Sequence, residues 1–99
     1  MPFKIKTSLK AIKELNEAVD WYTEQQVGLA ELFRDYFKKE ILGILNLPES
    51  FPVIKRGYRE VLMEKFPYFI VYSINKKEEI ITIVSIFHTS RNPGKKFRT

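Results

Sequence analysis

Three apolar runs in the second half of the chain limit what it can fold into. They are Tyr58 to about Glu64, Tyr68 to Ile74, and Ile80 to His88. Each is rich in β-branched and aromatic residues. Phe66-Pro67 separates the first two, and Asn75-Lys76-Lys77-Glu78 separates the last two. Short runs bounded by such breakers predict an antiparallel meander. A sheet of this kind must bury at least one face, and the first half of the chain has to supply the cover.

That half carries two helical patterns. Phe3-Lys4-Ile5-Lys6 alternates apolar and polar and predicts a short strand. Thr7 or Ser8 can then cap a helix, because either hydroxyl accepts from an exposed backbone N–H. From Ser8 to about Gln26 there is no Gly or Pro. Ile12, Leu15, Ala18, Val19 and Tyr22 recur at helical spacing, so they form one apolar face. Glu14, Glu17 and Glu24 are expected to look outward, and Trp21 to complete the edge of the core. Gly28 breaks the pattern, since glycine takes a left-handed conformation at little cost. A second helix is predicted from about Leu29 to Leu47, with Leu29, Leu32, Phe33, Tyr36, Phe37, Ile41, Ile44 and Leu45 as its stripe. Pro48 ends it. Residues 49–57 read as a loop. The order is β-α-α-β-β-β: an α+β domain in which an N-terminal strand and a two-helix antiparallel hairpin pack on a small antiparallel sheet. Leu15, Val19, Phe33, Phe37, Ile70 and Ile83 are expected in the core.

Ninety-nine residues make one domain, residues 1–99, with one core. There is no cysteine and one histidine, so neither a thiolate nor a His-rich metal site is expected, nor any cofactor. No run approaches a membrane span, and the first residues lack a signal-peptide core. A reducing cytoplasm fits these features. The charge is uneven. Residues 1–50 hold seven Lys/Arg and eight Asp/Glu, a net of −1; residues 51–99 hold ten and four, a net of +6. The basic excess therefore belongs to the meander and the tail. It suits nucleic acid or an acidic partner protein, or serves solubility alone.

The candidate chemistry is narrow. The glycines are scattered and form no phosphate-binding loop. A Ser-His-Asp arrangement would have to join His88 to Ser85 or Ser90 and to a helical aspartate, Asp20 or Asp35. What remains is a basic and aromatic set: Tyr58, Arg59, Lys65, Tyr68, Tyr72, His88 and Arg91. Metal-free RNA cleavage needs a base, cations on the phosphate and an acid for the leaving oxygen. These residue types can supply those roles, and they also fit plain duties in a core or on a solvated surface.

In order and spacing, several motifs resemble the RelE/ParE toxins of bacterial type II toxin–antitoxin systems. They are Ala18-Val19-Asp20-Trp21-Tyr22, Gly28-Leu29-Ala30 with Phe33, Asn46-Leu47-Pro48, Arg59, Phe66-Pro67-Tyr68 with Ile70 and Tyr72, and His88-Thr89-Ser90-Arg91-Asn92-Pro93. The Phe-Pro-Tyr motif resembles the plasmid-stabilisation subgroup. The resemblance spans nearly the whole chain and implies a growth-inhibiting cytoplasmic toxin neutralised by a small antitoxin in a hetero-oligomer. It implies two activities. ParE-like members bind and poison DNA gyrase; RelE-like members are metal-independent endoribonucleases that cut messenger RNA on the ribosome. The RelE cations are poorly matched here. Phe69 falls where the family has a catalytic arginine, Glu60 and Leu62 where it has lysines, and Thr89 where it has a later arginine. Arg59, His88 and Arg91 remain as a reduced catalytic set. Binding of DNA gyrase is the favoured reading, with the ribonuclease and a degenerate toxin that only binds antitoxin as alternatives. Lys55, Arg56, Arg59, Lys65, Arg91, Lys95, Lys96 and Arg98 are the candidate antitoxin- or target-binding residues.

Overall fold

The computed structural model describes residues 3–90. Arg91, Lys95, Lys96 and Arg98, four of the candidate binding residues, lie outside that range. The elements are β1 (Lys4–Thr7), α1 (Leu9–Gln25), α2 (Leu29–Asn46), β2 (Val53–Lys55), β3 (Tyr58–Leu62), β4 (Tyr68–Asn75) and β5 (Ile80–His88). The strands form one sheet in the order β1-β5-β4-β3-β2. The expected meander is present as β3, β4 and β5.

Two details extend the expected α+β architecture. First, β1 pairs parallel with β5, from Lys4 opposite Ile80 to Thr7 opposite Ile83, so the sheet is mixed. The helical hairpin carries the chain from one edge of the sheet to the other. The meander then walks back and reaches β1 running in the same direction. Second, the loop over residues 49–57 contains β2, which pairs antiparallel with β3. Arg56 at φ 53° and Gly57 at φ 81° turn the chain between them. Two positive φ values in a two-residue connection match the twist of the flanking strands. Three residues are too few for an alternation to show in sequence.

Both helices start where polar backbone is satisfied. The Ser8 hydroxyl accepts from the Ala11 N–H at 3.1 Å and donates to the Val84 carbonyl at 3.2 Å, so one side chain caps α1 and ties it to β5. Gly28 sits at φ 84°, and its carbonyl accepts from the Leu32 N–H at 3.1 Å to open α2. An L side chain there would be strained.

The core lies between the helices and the sheet. Val19, Phe33, Ile70 and Ile83 are buried, as expected. Leu15 and Phe37 are half-buried and border an apolar groove of about 350 Å³ with Ile5, Ile41 and Leu42. Tyr22, Phe33, Phe66 and Tyr68 form an aromatic cluster in which Phe33 lies 5.1–5.5 Å from the other three rings. Each helix is rotated slightly from the face read in sequence. Ala11 and Ala30 are buried, whereas Ile12 and Leu32 are exposed.

The expectation for Glu14 is corrected: it turns inward. The β4–β5 register passes from Val71↔Ser85 to Tyr72↔Ile83, leaving Val84 as an extra residue, a bulge. Beyond Ile83 no β1 residue pairs with β5. Glu14 fills that gap. Its Oε1 accepts from the Ile86 N–H at 2.9 Å and from the Ser85 hydroxyl at 3.0 Å. Lys10 Nζ completes the cluster, 2.8 Å from Glu14 Oε2 and 3.0 Å from Ser85 Oγ.

Candidate functional site

Residues paired directly across an antiparallel ladder share a face of the sheet. The pairs Tyr68↔His88, Ile70↔Ile86, Val61↔Ile70 and Arg59↔Tyr72 therefore look toward the helices. The pairs Leu62↔Phe69, Phe69↔Phe87 and Glu60↔Val71 look the other way. On that second face these pairs form an apolar strip with the Glu60 carboxylate, and by register Lys4, Lys6 and Lys55 share the face at its two edges.

His88 stands at the end of β5, half-buried, with its ring edge-on to Tyr68 at 5.1 Å. Its Nδ1 accepts from the Ser90 backbone N–H at 3.1 Å, and the Ser90 hydroxyl lies 2.8 Å from the same atom. A backbone N–H can only donate, so this geometry assigns the proton of the neutral ring to Nε2. His88 is thereby held by the strand end that it closes.

Arg59 is turned toward the backbone. Its Nη1 donates to the Phe51 carbonyl at 2.7 Å and to the Glu49 carbonyl at 3.1 Å. Its register partner, Tyr72, is fully buried and donates its hydroxyl proton to the Pro48 carbonyl at 2.7 Å. Burial pushes the Tyr72 hydroxyl up to about 12, with the neighbouring Arg59 charge opposing it. Arg59 and Tyr72 together clasp the segment that links α2 to β2. Their partners on β4 place Arg59 at Tyr72 and His88 at Tyr68. Four residues of strand separate these positions, roughly 13 Å. The reduced catalytic pair that lies within the described residues does not converge.

The remaining candidates are dispersed. Lys55 and Arg56 are exposed at the β2–β3 hairpin, beside the Arg59 end of the sheet. Lys65 is exposed in the β3–β4 turn, at φ 71°. The turn is tied to α2 by the Lys39–Glu64 ion pair at 2.8 Å, and by the Glu40 carboxylate accepting from the Glu64 N–H at 2.8 Å. Among the described residues, no group of three or more His, Cys, Asp or Glu is placed to hold a metal ion.

Sequence reasoning missed a cleft between α1 and the His88 end of the sheet. It encloses about 480 Å³. Glu14, Glu17, Ala18, Trp21 and Tyr22 form one wall; Tyr68, Ile86, His88 and Ser90 form the other. The first wall was readable in principle, because its positions follow the i, i+3, i+4, i+7, i+8 spacing of one helical face. Trp21 is 56% exposed and edge-on to Tyr22 at 5.3 Å, so it borders open space instead of closing the core. Burial raises the Tyr22 hydroxyl above its ordinary range.

The family model for the ParE toxin of the type II toxin–antitoxin system parDE matches residues 5–93. The chain belongs to the ParE toxin family. It is thus a type II toxin–antitoxin toxin. The fold of this ParE-family toxin is shared with solved relatives. A chain of the chromosomal ParDE toxin–antitoxin system from P. aeruginosa superposes with a TM-score of 0.74 at 17% identity, covering 89% of this chain and 97% of that one. A chain of the intact E. coli RelBE toxin–antitoxin complex gives 0.66 at 15% identity, covering 91% and 100%. The isolated E. coli RelE toxin gives 0.65 at 14% identity, covering 95% and 92%. No curated protein matches by sequence. Both branches of the family thus share the fold of this toxin, and fold does not choose between their targets. Among the described residues, no helix is long and apolar enough to cross a membrane.

Proposed function

We propose that this ParE-family toxin acts in the cytoplasm by binding DNA gyrase without nuclease chemistry, and that a small antitoxin silences it. One observation carries the choice of binding over cleavage. Arg59 spends its guanidinium on two backbone carbonyls, one strand and roughly 13 Å from His88. Cleaving RNA requires a proton acceptor, a cation and a proton donor within hydrogen-bond reach of a single phosphate. The positions of Glu60, Leu62 and Phe69 themselves carry no cation. A carboxylate and two apolar groups favour a protein surface over a phosphate.

The antitoxin reading is supported by the basic second half of the chain, where Lys55 and Arg56 stand exposed on a hairpin. An acidic segment that orders on binding would be steered to such a surface. The test is expression of the toxin with two parallel readouts. Gyrase inhibition should relax plasmid DNA while transcripts stay whole. Transcript cleavage at ribosomes with normal supercoiling would reverse the choice. Growth unaffected by the toxin, with antitoxin still bound, would identify a degenerate member.

A further inference from the structure

The cleft beneath His88 lies at the acidic pole of a basic protein. From Glu14 to Phe33 the chain contains Glu14, Glu17, Asp20, Glu24 and Glu31 and not one Lys or Arg, although the whole chain is +5. Glu17, Asp20, Trp21 and Glu24 follow one another at i, i+3, i+4 and i+7, so the exposed indole stands within an acidic ridge of α1. Glu14, deeper in the cleft, already has Lys10, Ser85 and Ile86 as partners. Glu17 has none among the described residues. The walls beside it are aromatic: Trp21, Tyr22 and Tyr68, with the His88 ring against Tyr68.

We propose that this cleft receives an arginine side chain presented by a partner polypeptide. An aromatic face attracts a cation, and a carboxylate beside it supplies the counter-charge. A guanidinium suits the site better than an ammonium, because it is planar, stacks on rings and is weakly hydrated. A nucleic acid is disfavoured, since its phosphates would approach two carboxylates. The site is separate from the Lys55–Arg56 hairpin, and it stands whether the toxin's target is gyrase or the ribosome. It gives the toxin a docking point of opposite sign to its basic half.

Trp21 is the sole tryptophan, so its fluorescence reports on the cleft directly. The full-length toxin is titrated with the peptide acetyl-Gly-Arg-Gly-Arg-Gly-amide at low salt. The same peptide with citrulline in place of arginine is the control, having the shape without the charge. Saturable change of Trp21 emission is expected with the arginine peptide and not with the citrulline peptide. Glu17→Gln, an exposed substitution that leaves the core intact, should weaken binding about fivefold, as loss of one partly exposed ion pair does. Glu31→Gln on α2, outside the cleft, should leave binding unchanged. Equal binding of the citrulline peptide, or an unchanged affinity in Glu17→Gln, overturns the proposal. So does a short oligouridylate that binds at Trp21 more tightly than the arginine peptide at the same salt concentration.

Discussion

Glu14 Oε1 accepts a hydrogen bond from the Ile86 backbone N–H at 2.9 Å, joining positions 72 residues apart. The contact forms where the strand ladder fails, past the end of β1 and beside the Val84 bulge. A carboxylate there replaces a missing strand. Removing it leaves the buried Ser85 hydroxyl and the Ile86 N–H without that acceptor. Glu14→Ala should cost about 2–3 kcal/mol, the penalty for orphaned buried donors that had a charged partner. Glu14→Gln, which keeps an acceptor oxygen, should cost less than half as much. Urea unfolding of the two variants against wild type measures both. Equal, near-zero losses would show that the contact contributes nothing.

The same residue shows what sequence could and could not convey. Helical spacing put Val19 and Phe33 in the core, and breakers placed Gly28, Pro48 and the meander correctly, because those signals are local. Glu14 at an exposed-looking position was local evidence too, and it misled. Its partner is a bulge in β5, whose existence depends on pairing between strands. The cleft was hidden for a related reason. Trp21 sits beside the stripe on α1, and only the placement of His88 and Tyr68 opposite it creates a wall. Residues 49–57 were legible as a loop from their breakers, but not the contacts of Arg59 with the Glu49 and Phe51 carbonyls, which depend on how that loop folds back on β3.

Tyr72 should give the protein an alkaline limit. Its hydroxyl is pushed from 10.0 up to about 12 in the folded state. Between those values the folded state keeps a proton that the unfolded chain has lost, so stability falls as pH rises. The contribution is fully present below pH 10. Its loss should amount to about 2–3 kcal/mol, since the shift is about a hundredfold in proton affinity and each tenfold corresponds to about 1.4 kcal/mol. Tyr72→Phe removes the titrating group and the bond to Pro48, so it should be less stable near pH 8 and lose less on going above pH 10. Urea midpoints at a series of pH values from neutral to alkaline compare the two slopes. Parallel slopes would rule out Tyr72 as the cause.

Phe33 and Phe37 lie one helical turn apart, yet they should differ. Phe33 is fully buried among Tyr22, Phe66 and Tyr68, whereas Phe37 borders the open apolar groove. Phe33→Ala should cost about 3–5 kcal/mol, enough to unfold a domain of ordinary stability. Phe37→Ala should cost roughly half of that, because less area leaves water on folding. Thermal melts rank them, and a smaller loss at Phe33 would contradict the packing described.

Electrostatic steering of the antitoxin should depend on Lys55 and Arg56. Arg59 is left intact in this test, since its guanidinium holds the Glu49 and Phe51 carbonyls and its loss would disturb the fold. Reversing Lys55 and Arg56 to glutamate should slow association with the cognate antitoxin. The wild-type rate should fall as salt rises, because exposed charges are screened beyond about 10 Å at 0.1 M. Stopped-flow mixing reads the rate. Association that ignores both salt and the reversal would place the antitoxin on another surface.

His88 decides between binding and catalysis. It is the only histidine, and a ribonuclease built on this chain would use it for proton transfer. Its Nδ1 is held by the Ser90 N–H, so His88→Asn can set a carbonyl oxygen where Nδ1 accepted while removing every titrating proton. Circular dichroism should show an unchanged fold. If the toxin acts by binding, the folded variant should still arrest growth and still inhibit supercoiling by purified gyrase to the same extent. Losses should be no more than a few-fold, in line with one altered contact at the rim of an interface. A ribonuclease would instead lose about two to four orders of magnitude, the usual contribution of a general acid or base. A folded His88→Asn toxin that no longer arrests growth, together with wild-type protein that cleaves transcripts in a ribosome-containing extract, would establish catalysis and discard the gyrase reading.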